Sequence, residues 1–103
     1  MHINTIKPKE IAPGFLARFI HTETNTIGYI DIKSGAILPE HSHVHTQITQ
    51  VIEGKLELII DGVSKVFEPG MVAVIPSNIV HSGKALTECK VTDVFYPVRE
   101  DYK

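Results

Sequence analysis

Three histidines within five residues, His41-Ser-His43-Val-His45, followed by Gln47, form the densest chemistry-bearing cluster of this 103-residue chain. Neutral imidazole is the commonest protein ligand for transition metals. In an extended strand, residues i and i+2 point to the same side, so His41 and His43 can turn their rings toward one ion. A further histidine, His81, follows the turn-like Pro76-Ser-Asn78. His45 shares strand parity with the pair, so it either competes as a ligand or turns toward a mouth or solvent. His2 and His21 read as surface or rim residues.

A second constellation sits near the C-terminus, in Cys89-Lys-Val-Thr-Asp-Val-Phe-Tyr-Pro-Val-Arg99. Lys90 and Thr92 are the polar positions and face outward, which puts Cys89, Val91, Asp93 and Phe95 on the inner face. A carboxylate is thereby aimed into an apolar interior, where it needs a partner or a purpose. Burial raises such a pKa and a nearby cation lowers it, a balance that can poise a general acid or base. Arg99 can pair with Asp93 as a structural ion pair closing one end of the fold. Alternatively it clamps a substrate carboxylate bidentately. Phe95 reads as core or pocket wall, and Cys89 as a small buried filler.

The elements that must position these residues are strands. Short β-rich runs are broken by turn signals about every ten residues, and no amphipathic helix is evident. The pattern predicts strands over 15–22, 26–33, 36–43, 48–53, 56–60, 63–67, 72–75, 81–85 and 89–96. Asp61-Gly62, between apolar-alternating flanks, has the composition of a two-residue type I′ hairpin. Pro39 suits a strand at a rim. Many short antiparallel strands in so short a chain leave a sandwich or small barrel, an all-β fold. Residues 1–103 read as one domain, with 1–14, which contain Pro8 and Pro13, as an N-terminal arm or edge strand. Val94 and Tyr96 face outward as apolar residues, which predicts a covered outer face and hence a homodimer.

Composition narrows the partners. A formal charge of −2 leaves no basic footprint for nucleic acid. No apolar run approaches the roughly 18 residues of a membrane helix, and the N-terminus lacks a signal-peptide apolar core. The single cysteine excludes an intrachain disulfide. A cytoplasmic protein with no membrane or nucleic-acid partner is the expectation.

The two histidine blocks resemble the cupin motifs. The first motif runs Gly, five residues, His-x-His, three or four residues, Glu, six residues, Gly. Gly35, His41, His43, position 47 and Gly54 hold every spacing. The second runs Gly, five residues, Pro-x-Gly, two residues, His, three residues, Asn. Gly70, Pro76 and His81 match, whereas Asn78 replaces the glycine and Ala85 the asparagine. The resemblance implies a small antiparallel β-barrel or jelly roll of the RmlC-like type, with one divalent transition metal on His41, His43, Gln47 and His81. Histidine and amide ligands suit Zn, Ni, Fe, Mn or Cu. Where the motif has Glu, Gln47 brings an oxygen without charge, so the ion would keep its full +2. That favours Lewis-acid chemistry on an anionic substrate and departs from the two-His-one-carboxylate site of many iron oxygenases.

The phrase from His41 to Gln47, together with Asp93-Val-Phe95-Tyr-Pro-Val-Arg99-Glu-Asp-Tyr, is similar to the small pectin-degradation cupins of the KdgF type. That family converts 4,5-unsaturated uronates, released by pectin and alginate lyases, to the linear keto form. The resemblance implies that Asp93 and Arg99 are catalytic or substrate-binding and that Phe95 lines the pocket. The expectation is a metal-dependent enzyme for a small acidic sugar. The alternatives are a non-catalytic ligand-binding cupin and a cupin dioxygenase.

Overall fold

The computed structural model describes residues 1–103. Ten strands follow in order: β1 (Lys9–Ala12), β2 (Phe15–His21), β3 (Thr26–Ile32), β4 (Ile37–His41), β5 (Thr46–Glu53), β6 (Leu56–Ile60), β7 (Val63–Phe67), β8 (Val72–Ile75), β9 (His81–Ala85) and β10 (Cys89–Tyr96). Short 3-10 turns lie at Ile3–Thr5 and Glu100–Tyr102. All pairings are antiparallel. One sheet has the order β1-β2-β3-β10-β5-β8 and faces a smaller one of order β4-β9-β6-β7. This is the all-β jelly roll expected from the strand pattern. No helix is long and apolar enough to cross a membrane.

Period-two alternation explains which side chains meet between the sheets. Thr26, Gly28, Ile30 and Ile32 alternate inward along β3, as do Gln47, Thr49 and Val51 along β5 and Cys89, Val91, Asp93 and Phe95 along β10. Lys90 and Thr92 face outward, as the sequence requires. Within the first fourteen residues, β1 forms an edge strand that pairs with β2, Lys9 opposite Ala17.

Turn chemistry sets the ends of the strands. Asp61 and Gly62 both have positive φ, 50° and 78°, and join β6 to β7 with Ile60 opposite Val63. Both signs are those of a type I′ turn. Gly54 has φ 86° and lies so close to the 87–89 segment that a Cβ would collide with the Glu88 carbonyl oxygen. Only glycine meets both demands. Pro39 sits in β4, an edge strand whose pairing with β9 slips between Leu38 and His41. A residue without an N–H is tolerated at such an edge. Beyond the slip His41 pairs with His81 and β4 ends, two residues sooner than the pattern suggests, which leaves His43 in the connection to β5.

One end of the interior is apolar: Phe15, Ala17, Ile30, Ile32, Val51, Leu56, Leu58, Phe67, Ala73, Ala85, Cys89 and Val91 form a single buried cluster. The buried polar side chains, Thr26, Gln47, Thr49, His81, Asp93 and Arg99, gather at the other end.

Candidate metal centre

At the polar end, antiparallel register brings His41 of β4 directly opposite His81 of β9. Their ring centroids are 4.2 Å apart, and His43 lies 4.9 Å from His81. One nitrogen from each of the three rings falls within 4.8 Å of the others. The turn after β8 holds the loop that carries His43. The Asn78 N–H donates to the His43 carbonyl (2.8 Å), and the Ser77 hydroxyl donates to the Val44 carbonyl (2.6 Å). Asn78 has φ 64°. Asparagine is one of the few non-glycine residues that tolerate this region, so its replacement of the motif glycine preserves the turn.

The tautomers follow from the backbone. His41 Nδ1 is 2.8 Å from the Pro39 carbonyl, His43 Nδ1 2.9 Å from that of His45, and His81 Nδ1 2.9 Å from that of Ile79. A carbonyl only accepts, so each Nδ1 carries the proton and each neutral ring turns an Nε2 lone pair inward. Burial lowers the pKa of both His43 and His81, and the nearby Arg99 adds to this at each; neighbouring histidines lower it further. The lone pairs therefore stay available at neutral pH.

Gln47 stands beside the triad. Its Nε2 donates to Thr49 Oγ1 at 2.9 Å, which leaves its Oε1 3.1 Å from His43 Nε2. With neutral His43 these are two lone-pair atoms facing each other. His81 Nε2 is buried and has no hydrogen-bond partner. Such an arrangement is unfavourable by itself and is satisfied by a cation placed among the four atoms. The donor set therefore fits a divalent ion with three imidazole nitrogens and one amide oxygen. His45 lies outside the triad; its ring meets Phe95 edge-on, 6.5 Å between centroids.

Asp93 is the next layer. Directly opposite Thr49 in the ladder, it accepts a 2.6 Å hydrogen bond from the Thr49 hydroxyl through Oδ1. Burial pushes its pKa up to about 6, against the opposing pull of the Thr49 and Gln47 hydrogen bonds and the Arg99 charge. A carboxyl near neutrality can both accept and return a proton. Thr49 is the link that sequence reasoning overlooked. Its inward parity with Gln47 was readable; its position opposite Asp93 was not.

Arg99 does not pair with Asp93, and the structural ion pair open to the sequence is replaced by another. The Arg99 Nε and Nη2 donate to the Asp101 carboxylate at 3.0 and 2.8 Å. The two residues are joined by one tight turn, whereas Asp93 is held by Thr49. Burial works against the Arg99 charge, but Asp101 and Tyr102 together outweigh it and the Arg99 pKa rises. Asp101 and Tyr102 were not singled out from sequence, although they belong to the same C-terminal phrase. Phe95 lies across from Gln47 and beneath the guanidinium, 4.7 Å from ring centroid to Cζ.

His41, His43, Gln47, His81, Asp93, Phe95 and Arg99 all line one cavity of about 50 Å³, closed at its base by Ile30, Leu56 and Leu58. That volume suits an ion and the reacting end of a small molecule, so the rest of any ligand must lie in the mouth.

The Cupin domain model matches residues 28–95, which include both histidine blocks and Asp93. The chain is a cupin. It is 32% identical over 75 residues to the pectin degradation protein KdgF of Dickeya dadantii (strain 3937), a match covering 71% of this chain and 68% of that protein. Among solved structures it is similar to KdgF from Halomonas sp., at 27% identity and TM-score 0.91, over 97% of this cupin and 94% of that chain. An RmlC-like cupin from Shewanella frigidimarina NCIMB 400 superposes at TM-score 0.94 and 26% identity, over 100% of this cupin and 94% of that chain.

Proposed function

We propose that this cupin is a metal-dependent enzyme that opens and ketonises 4,5-unsaturated uronates from pectin or alginate breakdown. The observation that carries the reading is the four-atom neutral donor set, with Asp93 linked to it through Thr49 and Arg99 on the same cavity. Similarity to KdgF proteins supports the substrate class.

His41, His43, Gln47 and His81 would hold the ion, which supplies Lewis acidity toward substrate oxygens when bound. Arg99 receives the substrate carboxylate, and Phe95 packs against the sugar. Ionised Asp93 takes the proton of the anomeric hydroxyl as the bond from the anomeric carbon to the ring oxygen breaks. The anomeric carbon becomes an aldehyde and the ring oxygen an enolate oxygen on C5. Protonated Asp93 then returns its proton to C4, and the enolate becomes a ketone. The process is a net isomerisation, so no co-reactant is consumed. A group titrating near 6 suits both transfers.

The test is turnover by the metal-loaded protein, followed as loss of the ultraviolet absorbance of the conjugated double bond. Asp93→Asn should retain the metal and lose at least 100-fold in kcat, in the range of a general acid–base contribution. Turnover of that variant at the wild-type rate would remove Asp93 from the mechanism. Metal-loaded wild type that binds the uronate and leaves it unchanged would instead favour a ligand-binding cupin.

The same reading takes the working unit to be a homodimer in a reducing cytoplasm, where the buried thiol of Cys89 stays free. Ile20, Ile27, Val94, Ile48 and Val74 align across β2, β3, β10, β5 and β8 on the outer face of the larger sheet. Thr46, Gln50, Ile52, Val72, Thr92 and Tyr96 extend this face on β5, β8 and β10, where Lys90 is the charged residue. Such a face is self-complementary under a twofold axis. Val94→Lys should convert a dimer to a monomer in sedimentation, and a wild-type monomer would exclude the dimer.

A further inference from the structure

The C-terminal turn Glu100–Tyr102 is bound to the barrel at three points. The Arg99 N–H donates to the buried Thr26 hydroxyl at 2.9 Å, Lys9 Nζ donates to the Tyr102 carbonyl at 3.0 Å, and the Tyr102 ring stacks on Phe19 at 4.6 Å. Between these points the Arg99 guanidinium packs against two rings that meet each other edge-on, 4.7 Å from the Phe95 ring and 4.0 Å from that of Tyr102. Its Nε–Nη2 edge is taken by the two oxygens of Asp101. The Arg99 side chain is only 8% exposed, while that of Asp101 is 56% exposed. The carboxylate thus reaches in from solvent to hold one edge of a buried cation.

A guanidinium presents two bidentate edges. With the Nε–Nη2 edge taken, the Nη1–Nη2 edge remains, and Nη1 has no carboxylate partner. The two aromatic rings confine the group on two sides, and the two-point bond to Asp101 fixes its orientation.

We propose that Asp101 is a positioning residue, which aims the free edge of Arg99 at the carboxylate of the sugar and so makes the pocket selective for uronates. The inference rests on the reading of Arg99 as the carboxylate clamp. It has an opposite with the opposite sign: if Asp101 occupied Arg99 as a stand-in for substrate, its removal would tighten binding.

The experiment measures binding of galacturonate, a saturated uronate, to the metal-loaded protein by calorimetry, in a double-mutant cycle of Asp101→Asn and Arg99→Gln. Thermal melting verifies folding, which the exposed position of Asp101 favours. Asp101→Asn should weaken galacturonate about tenfold, the scale of one misaligned charge-assisted pair. On unsaturated uronate it should raise KM with kcat within about twofold. In the Arg99→Gln background, Asp101→Asn should have no further effect, an outcome that a merely structural role would not give. Asp101→Glu, which keeps the charge, should recover part of the affinity.

Three results would overturn the proposal. Unchanged affinity in Asp101→Asn with loss in Arg99→Gln removes Asp101 and leaves the clamp. Tighter binding in Asp101→Asn makes Asp101 a mask. Unchanged affinity in Arg99→Gln removes the clamp itself, and the inference with it.

Discussion

Along β10 the inward residues are Cys89 and Val91 toward one end of the barrel and Asp93 and Phe95 toward the other. The same change occurs on β5, from Val51 to Thr49 and Gln47, and on β9, from Ala85 to His81. The two ends share strands, sheets and ladder geometry. At the apolar end, burial removes hydrocarbon from water and every contact favours folding. At the polar end, burial strips water from a carboxyl, an amide and imidazoles, which costs free energy unless partners replace it. The contrast separates the half of the interior that holds the barrel together from the half that the barrel holds in place.

Removing a ligand tests the polar end most severely. On the proposed four-donor set, His81→Ala should lower metal affinity by at least about 1,000-fold, because the ion would keep only three donors and the cavity opens. Metal analysis after dialysis checks this, and turnover should fall to background. His81 is 3% exposed and its Nδ1 donates to the Ile79 carbonyl, so the variant also loses a buried hydrogen bond, and melting verifies that it remains folded.

The apolar end should respond the other way. Ile32, 4% exposed, packs in the buried cluster, and Ile32→Ala should cost about 2–5 kcal/mol of stability. Denaturant titration measures the loss. At a temperature where the variant is folded, its metal content should remain at the wild-type level. Loss of metal from folded Ile32→Ala would show that the two ends are coupled.

Asp93→Asn tests whether the polar end opposes stability. In the metal-free folded chain Asp93 keeps its proton up to about pH 6, above the ordinary carboxyl value of 3.8. The folded state therefore binds more protons than the unfolded one between these values. The Asp93 contribution to stability is fully present below pH 3.8 and declines as pH rises through about 6. His43 and His81, with lowered values, act in the opposite sense toward their ordinary 6.5. The informative quantity is thus the difference between the wild-type and Asp93→Asn stability curves. It should grow with pH in favour of the variant and level off above pH 6–7 at roughly 2–3 kcal/mol. A flat difference would mean that burial of Asp93 is fully compensated.

The smallest expected effect belongs to Thr49→Val. Without the hydroxyl, the Gln47 amide loses the acceptor that turns its oxygen toward the histidines. Metal affinity should fall about 10–100-fold, the usual range for an outer-layer partner. Competition with a chelator reads it directly.

Much of the fold was legible because strand side chains alternate and turns have recognisable chemistry. Asp61-Gly62, the inward parity of Asp93 and the outward Val94 and Tyr96 follow from those two facts. The strand Lys9–Ala12 was less distinct, because an edge strand with the burial pattern exposed, exposed, half-buried, half-buried carries little apolar signal. The slip within β4 ahead of His41 was hidden for another reason: a slip in pairing depends on the partner strand.

The sequence by itself determined the residue types of the site, their local spacing and their faces. Three imidazoles, an amide, a carboxyl and a guanidinium were all visible as candidates. Tertiary structure alone decided who meets whom: His81 opposite His41, Thr49 opposite Asp93, and Arg99 held by Asp101 instead of Asp93. Local sequence specifies a direction for each side chain, but distances between strands are set by register and bulges. The arginine adds a further lesson. Its partner lies two residues on in the Glu100–Tyr102 turn, where the chain has left the regular ladder and alternation no longer governs.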